Sequence, residues 1–454
     1  VLPNLDDLSL REMVAQLVMV RASGYLFDHQ IQYPAWEPPA VKLQHWLQEL
    51  GIGGVILLGA SAGELALRSR QLQSWAKIPL LLAADIEEGV GQRFCGATWF
   101  PPPMAIAAIA RQDLLKAQNY ANQMGAAIAQ EARAVGLNWL LAPVVDVNNN
   151  PDNPVINVRA FGETPTVVSQ LTTAFLKGAQ RYPLLTTAKH FPGHGDTETD
   201  SHLELPVLSH SLARLAEIEL PPFSAAIAAG VDAVMSAHLQ IPALDPDYPA
   251  TLSYRILTQQ LRYTMGFQRL VVTDALVMGA IANQYGPNEA PILALEAGAD
   301  ILLMPLDPAK AIDAVCAAVE TGRISVERIR ASWERIWRAK HKVFSRVMPC
   351  AELDLPESAL QEKGTLTLPL ELAQSEKIAL GADILRDAMQ VHCPAVLQPK
   401  QPNVLSNFRN LVVVDDILSC NFLTGHSPAI TLPHQQGYTL QLIDCHTPAT
   451  ALTL

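Results

Sequence analysis

The chain reads as an α/β fold, with a (β/α)8 TIM barrel over residues 1–345 and a small C-terminal α/β unit over 346–454. Three observations predict this. Eight short segments are apolar throughout rather than alternating, as in Gly54-Val55-Ile56-Leu57-Leu58 and Leu80-Leu81-Leu82-Ala83-Ala84. That pattern suits strands buried on both faces, which a parallel sheet covered by helices provides. Longer helical patterns separate the segments, and eight repeats within about 310 residues match the size of such a barrel. After Pro349 the alternation gives way to a different composition. An open doubly wound sheet is the runner-up, but Val20-Arg21-Ala22-Ser23-Gly24 lacks the glycine-rich phosphate turn it would need.

In order, the strands are expected at 17–21, 54–58, 80–85, 139–146, 184–190, 233–238, 270–274 and 300–304. Among the helices, 39–50 carries Val41, Leu43, Trp46, Leu47 and Leu50 at helical spacing. The stretch 115–135 is rich in Ala, Gln and Glu, all good helix formers. Segments 209–228, 258–263 and 308–321 behave alike. The stretch 324–345 is a basic helix with Arg328, Arg330, Arg335, Arg338, Lys340 and Lys342, and Arg346 just beyond; such a run reads as a solvated face. In the tail, 353–370 reads as a linker, 374–390 as a helix, and 410–415 and 438–444 as strands. The unit they form is expected to be small and truncated.

Composition narrows the function. Apolar residues make up 49% and charged residues 17%, enough for a large core. Lys plus Arg number 32 against 44 Asp plus Glu, a net charge of −12, which argues against a nucleic-acid surface. No apolar run reaches the roughly 18 residues a membrane span requires. Val1-Leu2-Pro3-Asn4-Leu5 does not read as a signal peptide, so cytoplasm is the favoured compartment; the start on Val rather than Met leaves a trimmed N-terminus open. The six cysteines, at 95, 316, 350, 393, 420 and 445, form no zinc-type spacing and are expected as buried free thiols.

On a barrel, functional side chains gather where strands end. Five predicted strands end in ionisable residues: Asp85; Asp146, with Arg159 in the loop beyond; Lys189-His190; His238; and Thr273-Asp274. Such groups are costly in a parallel sheet unless they line a site. The densest segment runs from Lys189 to His202. It could hold a metal through His190, His194 and His202, although Pro192 and Gly193 prevent the one-turn spacing of an HExxH helix. It could be a capped structural loop. The favoured reading is a general acid/base in which Asp200 orients and polarises His202. Asp274 can attack an electrophilic carbon or cap the following helix. Arg93 and Arg159 read equally well as surface ion pairs.

The fourteen residues Lys189–His202 resemble the KHFPGHGxxxxDSH signature of glycoside hydrolase family 3, in its β-N-acetylglucosaminidase branch. Asp85-Ile86-Glu87-Glu88-Gly89-Val90-Gly91-Gln92-Arg93 resembles its DxEGGxVxR segment, departing at Glu88 and Gly91. Phe100-Pro101-Pro102-Pro103-Met104-Ala105 is similar to the FPxxMA turn. Leu141–Val147 and Asn153–Gly162 match the next blocks, with Ala160 where Ser is usual. Val272–Ala280 resembles the nucleophile block, with Ala275 where Asp or Ser usually follows the catalytic Asp. The resemblance spans roughly residues 5 to 340.

It implies a retaining β-glycosidase on a (β/α)8 barrel, releasing terminal N-acetylglucosamine from β-linked glycosides such as peptidoglycan fragments. Asp274 would be the nucleophile, and His202 paired with Asp200 the acid/base. Asp85, Arg93, Arg159, Lys189 and His190 would hold the terminal sugar. No cofactor and no metal is implied, and the partner is a small carbohydrate, with neither nucleic acid nor membrane; no oligomeric state follows. The alternatives are a β-N-acetylglucosaminide phosphorylase on the same site, a β-glucosidase and, more remotely, a sugar-binding protein without catalysis.

Overall fold

Strands β1 (Val18–Ser23), β2 (Gly54–Leu58), β3 (Leu81–Ala84), β4 (Trp139–Leu140), β5 (Thr187–Phe191), β6 (Ala233–Ser236), β7 (Leu270–Thr273) and β8 (Leu302–Leu303) run parallel in a computed structural model. The structure describes residues 2–4, 7–197, 205–344, 372–389, 409–413, 428–435 and 438–443. Two sheets have the orders β4-β3-β2-β1-β8 and β5-β6-β7. In register, Met19 faces Gly54 and Val18 faces Leu302 on either side of β1. Isolated parallel bridges, Trp139 with Leu185 and Val272 with Ile301, link the ends of one sheet to the other. The result is a parallel α/β fold whose strand interiors are buried, as uniformly apolar segments demand.

Helices follow the strands. The expected helix at 209–228 runs without a break from Leu212 through a wider turn at Leu215–Glu219 to Ala228. Helices Ala62–Trp75, Pro103–Ala110, Pro165–Ala179 and Gly279–Ala297 complete the cover. No helix among the described residues is long and apolar enough to cross a membrane.

The basic helix, observed as Val326–Phe344, is not simply a solvated face. Arg330 and Arg338 are exposed, but Arg335 reaches Asp300 at 3.0 Å and Lys342 reaches Asp232 at 2.7 Å. Both carboxylates are buried, so these cations are spent on neutralising them. Lys340 is fully buried, and its Nζ donates to Gln16 Oε1 at 2.6 Å. Burial pulls its pKa down to about 7. Between that value and the unfolded value of about 10.4, the unfolded chain keeps a proton that the folded chain has released. Stability should therefore rise with pH across this window. Urea unfolding of the wild type at pH 7 and pH 9.5 should show the rise, and Lys340→Met should abolish it.

Two compact units divide the chain, Val1–Met389 and Gln390–Leu454. Helix Ser375–Ala388 belongs to the first. Lys116 pairs with Asp387 at 2.7 Å, and buried Glu131 accepts from the Ala373 N–H at 2.8 Å and faces Lys377 at 3.6 Å. In the second unit, β9 (Arg409–Val413) and β10 (Thr439–Ile443) pair in parallel, and helix Pro428–Gln435 lies between them in sequence. The linker expected at 353–370 and the chain end at 450–454 lie outside the described residues. Cys95 and Cys316 are free thiols, but neither is buried as expected: Cys95 is exposed in a surface loop that forms a β-bridge with Ser61, and Cys316 is half-buried. The other four cysteines lie outside the described residues.

Candidate active site

The carboxyl ends of the strands surround a cleft of about 420 Å3 lined by Asp85, Glu87, Arg93, Arg159, Lys189, His190 and Asp274. Every site residue expected from the sequence and described by the structure stands on this wall. Asp200 and His202 lie outside the described residues.

At its centre is Lys189, 1% exposed at the end of β5. Its Nζ lies 2.7 Å from Asp85 Oδ1 and 2.6 Å from Glu87 Oε1. Arg159 binds both oxygens of Glu87 at 2.8 Å, a bidentate pair, and donates from Nη1 to the Val155 carbonyl. Burial alone would push the Glu87 carboxyl up, but Arg159 and Lys189 hold it well below the usual carboxylate range. Burial would likewise lower Lys189; Asp85 and Glu87 reverse that and raise it. Both are therefore charged at neutral pH. Arg93 is exposed and donates to the Asp85 carbonyl at 3.1 Å. Arg159 is thus no surface ion pair, whereas Arg93 hydrogen-bonds to backbone.

A second buried carboxylate organises the loop after β5. Asp146 accepts the backbone N–H groups of His190 and His194, at 3.1 and 2.7 Å, and faces His190 Nδ1 at 2.8 Å. Burial opposes its charge, but His190 and His194 bring its pKa below the ordinary value. Burial, and next His190, lower the His194 pKa to about 4, so this imidazole is neutral at pH 7. The glycines of the segment are sterically required. Gly193 has φ +135, and a Cβ at Gly195 would collide with the Val147 carbonyl.

Asp274 follows β7, whose Leu270, Val271, Val272 and Thr273 are all buried. Its Oδ1 accepts the Ala275 N–H at 2.7 Å. The next helix starts at Gly279 with Met278 at its cap, so Asp274 does not serve as the helix cap. Burial raises its pKa, but His238, His190, the Ala275 amide and Lys189 together lower it below the ordinary aspartate value. An ionised carboxylate with one lone-pair direction spent on backbone suits attack on an electrophilic carbon.

Foremost among those lowering influences is His238, at the end of β6. Its Nε2 donates to the Ala275 carbonyl at 3.0 Å, and its Nδ1 meets Thr251 Oγ1 at 2.8 Å. Removing its positive influence raises the Asp274 pKa. In His238→Gln the Asp274 carboxyl should therefore titrate at higher pH than in the wild type, as an NMR pH titration of its carboxyl carbon would record.

Among the described residues, one group could offer three close metal ligands: Asp196, His210 and Glu219. Arg214 already contacts Asp196 at 3.2 Å and Glu219 at 3.3 Å and supplies the positive charge there. Glu87 carries much of the geometry without having been singled out, whereas Asp146, read as an ionisable strand end, and His194, read as a possible metal ligand, here organise the loop after β5. Their sequence signals were present: Glu87 two residues after Asp85, Asp146 at a strand end, and His194 within the densest polar segment.

Residues 9–339 match the glycosyl hydrolase family 3 N-terminal domain, and residues 401–453 the bacterial glycosyl hydrolase family 3 C-terminal domain. The chain is 36% identical over 367 residues to a beta-hexosaminidase A of Pseudoalteromonas piscicida, covering 74% of this chain and 60% of that protein. It is 37% identical over 263 residues to a beta-hexosaminidase of Xylella fastidiosa, covering 57% of this chain and 78% of that one. A solved glycoside hydrolase family 3 beta-N-acetylglucosaminidase from Paenibacillus sp. superposes with a TM-score of 0.79 at 33% identity, covering 98% of this chain and 81% of the other. With the family match spanning most of the chain and the strand-end cleft in place, the chain belongs to glycosyl hydrolase family 3.

Proposed function

We propose that the protein is a retaining exo-β-N-acetylglucosaminidase that releases terminal N-acetylglucosamine from β-linked glycosides, peptidoglycan fragments among them. The observation that carries this reading is Asp274, an ionised carboxylate in the same cleft as the buried Lys189–Asp85–Glu87–Arg159 cluster. The relatives named beta-hexosaminidase support it. In this proposal the eight strands act as one (β/α)8 barrel, for which the bridges between the two sheets speak. Its catalytic domain, expected at residues 1–345, is taken on to Met389, where the first compact unit ends, and Gln390–Leu454 is the smaller unit.

Asp85, Arg93, Arg159, Lys189 and His190 bind the hydroxyls and 2-acetamido group of the terminal sugar. Asp274 attacks the anomeric carbon as the bond to the leaving oxygen breaks, and His202, protonated and paired with Asp200, gives its proton to that oxygen. Neutral His202 then takes a proton from water. The water oxygen attacks the anomeric carbon, and Asp274 leaves as carboxylate. No cofactor and no metal enters these steps.

Steady-state kinetics with aryl N-acetyl-β-glucosaminide and aryl β-glucoside test the reading. kcat/KM should favour the former, and preference for the glucoside overturns it in favour of a β-glucosidase. A relative from Cellulomonas fimi, 33% identical and covered over 52% of its length, is named for both activities, so both substrates belong in the assay. A neutral imidazole does not repel an incoming phosphate, so a phosphorylase is the second reading. Release of N-acetylglucosamine 1-phosphate on adding phosphate would establish that instead.

A further inference from the structure

A second cavity, of about 550 Å3, opens at the opposite end of the strands from the catalytic cleft. Its lining includes Leu185, two residues before β5, Asp232, immediately before β6, and Leu270, the first residue of β7. Helix Val326–Phe344 contributes Arg335, Arg338 and Lys342, and Arg269, just ahead of β7, joins them. Four cations thus line one concavity that holds a single carboxylate, in a chain whose net charge is −12.

The carboxylates nearby do not use up this charge. Asp232 takes Lys342 Nζ on its two oxygens at 2.7 and 2.8 Å, the Thr186 N–H at 3.0 Å, and Arg269 Nη1 at 3.2 Å. Arg335 Nη1 donates to Asp300 Oδ1 at 3.0 Å, but Arg262 already binds Asp300 Oδ2 at 2.6 Å. One cation neutralises one carboxylate, so Arg269 and Arg335 bring charge in excess. Donors are in excess too. Among the described residues, Arg269 donates only from Nη1, to Asp232 and the Gly230 carbonyl, and Arg335 only from Nη1, to Asp300 and the Ala331 carbonyl. Nε and Nη2, the edge of a guanidinium that grips an oxyanion through two parallel hydrogen bonds, have no protein acceptor there on either residue. Arg338 stands 3.7 Å from Glu334, too far for a hydrogen bond, with its side chain 71% exposed.

We infer that this cavity binds a phosphate group, free or carried on a small organic molecule, through Arg269, Arg335 and Arg338. A carboxylate brings one charge and two oxygens, whereas a phosphate brings nearly two charges and three acceptor oxygens, which matches several guanidinium edges facing one space. The volume suits a ligand larger than the bare anion, and Leu185, Leu270 and Ala339 supply apolar surface for its body. The site lies away from Asp274 and takes no part in the chemistry proposed there. A ligand held between helix Val326–Phe344 and the starts of β6 and β7 stabilises the folded chain by mass action.

Calorimetric titration of inorganic phosphate and of glucose 6-phosphate into the full chain at low ionic strength tests the inference. At least one of them should bind with a Kd of about 1 mM or tighter, and affinity should fall as salt is added. Arg269→Gln combined with Arg338→Gln should weaken binding about tenfold or more. Arg93→Gln, in the catalytic cleft, should leave it within about twofold. A ligand-free melting midpoint close to that of the wild type shows that the double variant is folded. Should that variant be unstable, Arg338→Gln alone, which removes an exposed side chain, should still weaken binding about threefold. Tighter binding of glucose 6-phosphate assigns an organic phosphate, tighter binding of inorganic phosphate the free anion, and either order upholds the site. Affinity lost in Arg93→Gln but kept in the double variant puts the anion in the catalytic cleft and overturns the inference. So does an absence of binding for both ligands at about 10 mM.

Discussion

Replacing Asp274 with alanine is expected to lower kcat on aryl N-acetyl-β-glucosaminide on the order of 10⁴-fold or more, the scale seen when a covalent nucleophile is removed. The fold should survive. Among the described residues the Asp274 carboxylate accepts one hydrogen bond, from the neighbouring Ala275 amide, and a bond of that kind is worth about 1 kcal/mol. Thermal unfolding of the variant separates lost chemistry from lost structure. Azide should restore part of the turnover by entering the space the carboxylate vacates. It would attack the anomeric carbon from the nucleophile's side and give a glycosyl azide of inverted configuration. Unchanged turnover in the alanine variant would remove Asp274 from the mechanism.

The second large effect concerns Glu87. This carboxylate is 5% exposed and neutralises two cations at once, Arg159 through both oxygens and Lys189 at 2.6 Å. Glu87→Gln keeps the shape but leaves those buried cations short of charge, and breaking a buried pair in this way costs about 3–5 kcal/mol. Denaturant unfolding at pH 7 should record the loss. Because the folded pKa of Glu87 is depressed, its contribution is fully present above the unfolded value of about 4.3. It is lost as pH falls through the folded pKa. The variant should therefore lose part of the wild type's stability gain between strong acid and neutrality. Sugar affinity should fall too, since Lys189 and Arg159 would no longer be held toward the cleft.

Much of this was legible in the sequence, for reasons that differ by element. The segment 54–58 is a strand as expected, because uniform apolar character has no other use in a helix-covered sheet. Strand β4 stops at Leu140 although the expected strand reaches residue 146, because Pro143 brings no N–H to a ladder; only the Val144–Lys189 bridge persists. Helix Gly279–Ala297 was harder to foresee, since it contains Pro287 and Pro291 and kinks at Gly286. Within the site, ionisable strand ends mark the right wall, but pairing is a tertiary property. Lys189 meets Asp85 across 104 residues of chain, and Glu87 joins them from that same distant segment. The charge run of 326–344 misled for the same reason, because its partners Asp232 and Asp300 lie far away in sequence.

Glu131 makes one further demand on the molecule. Its carboxylate binds the Thr98 N–H and hydroxyl at 2.9 and 2.7 Å on one side, and Ala373 and Lys377 on the other. Thr98 in turn hydrogen-bonds through its carbonyl to the Gly91 N–H, in the same loop as Glu87. A short chain of contacts thus runs from a helix beyond the strands to the carboxylate that neutralises the cleft-lining cations Lys189 and Arg159. The practical consequence concerns modularity. A gene cut after residue 344 would keep strands β1–β8 yet strip Glu131 of two partners, so the smallest exchangeable cassette of this protein extends to Met389.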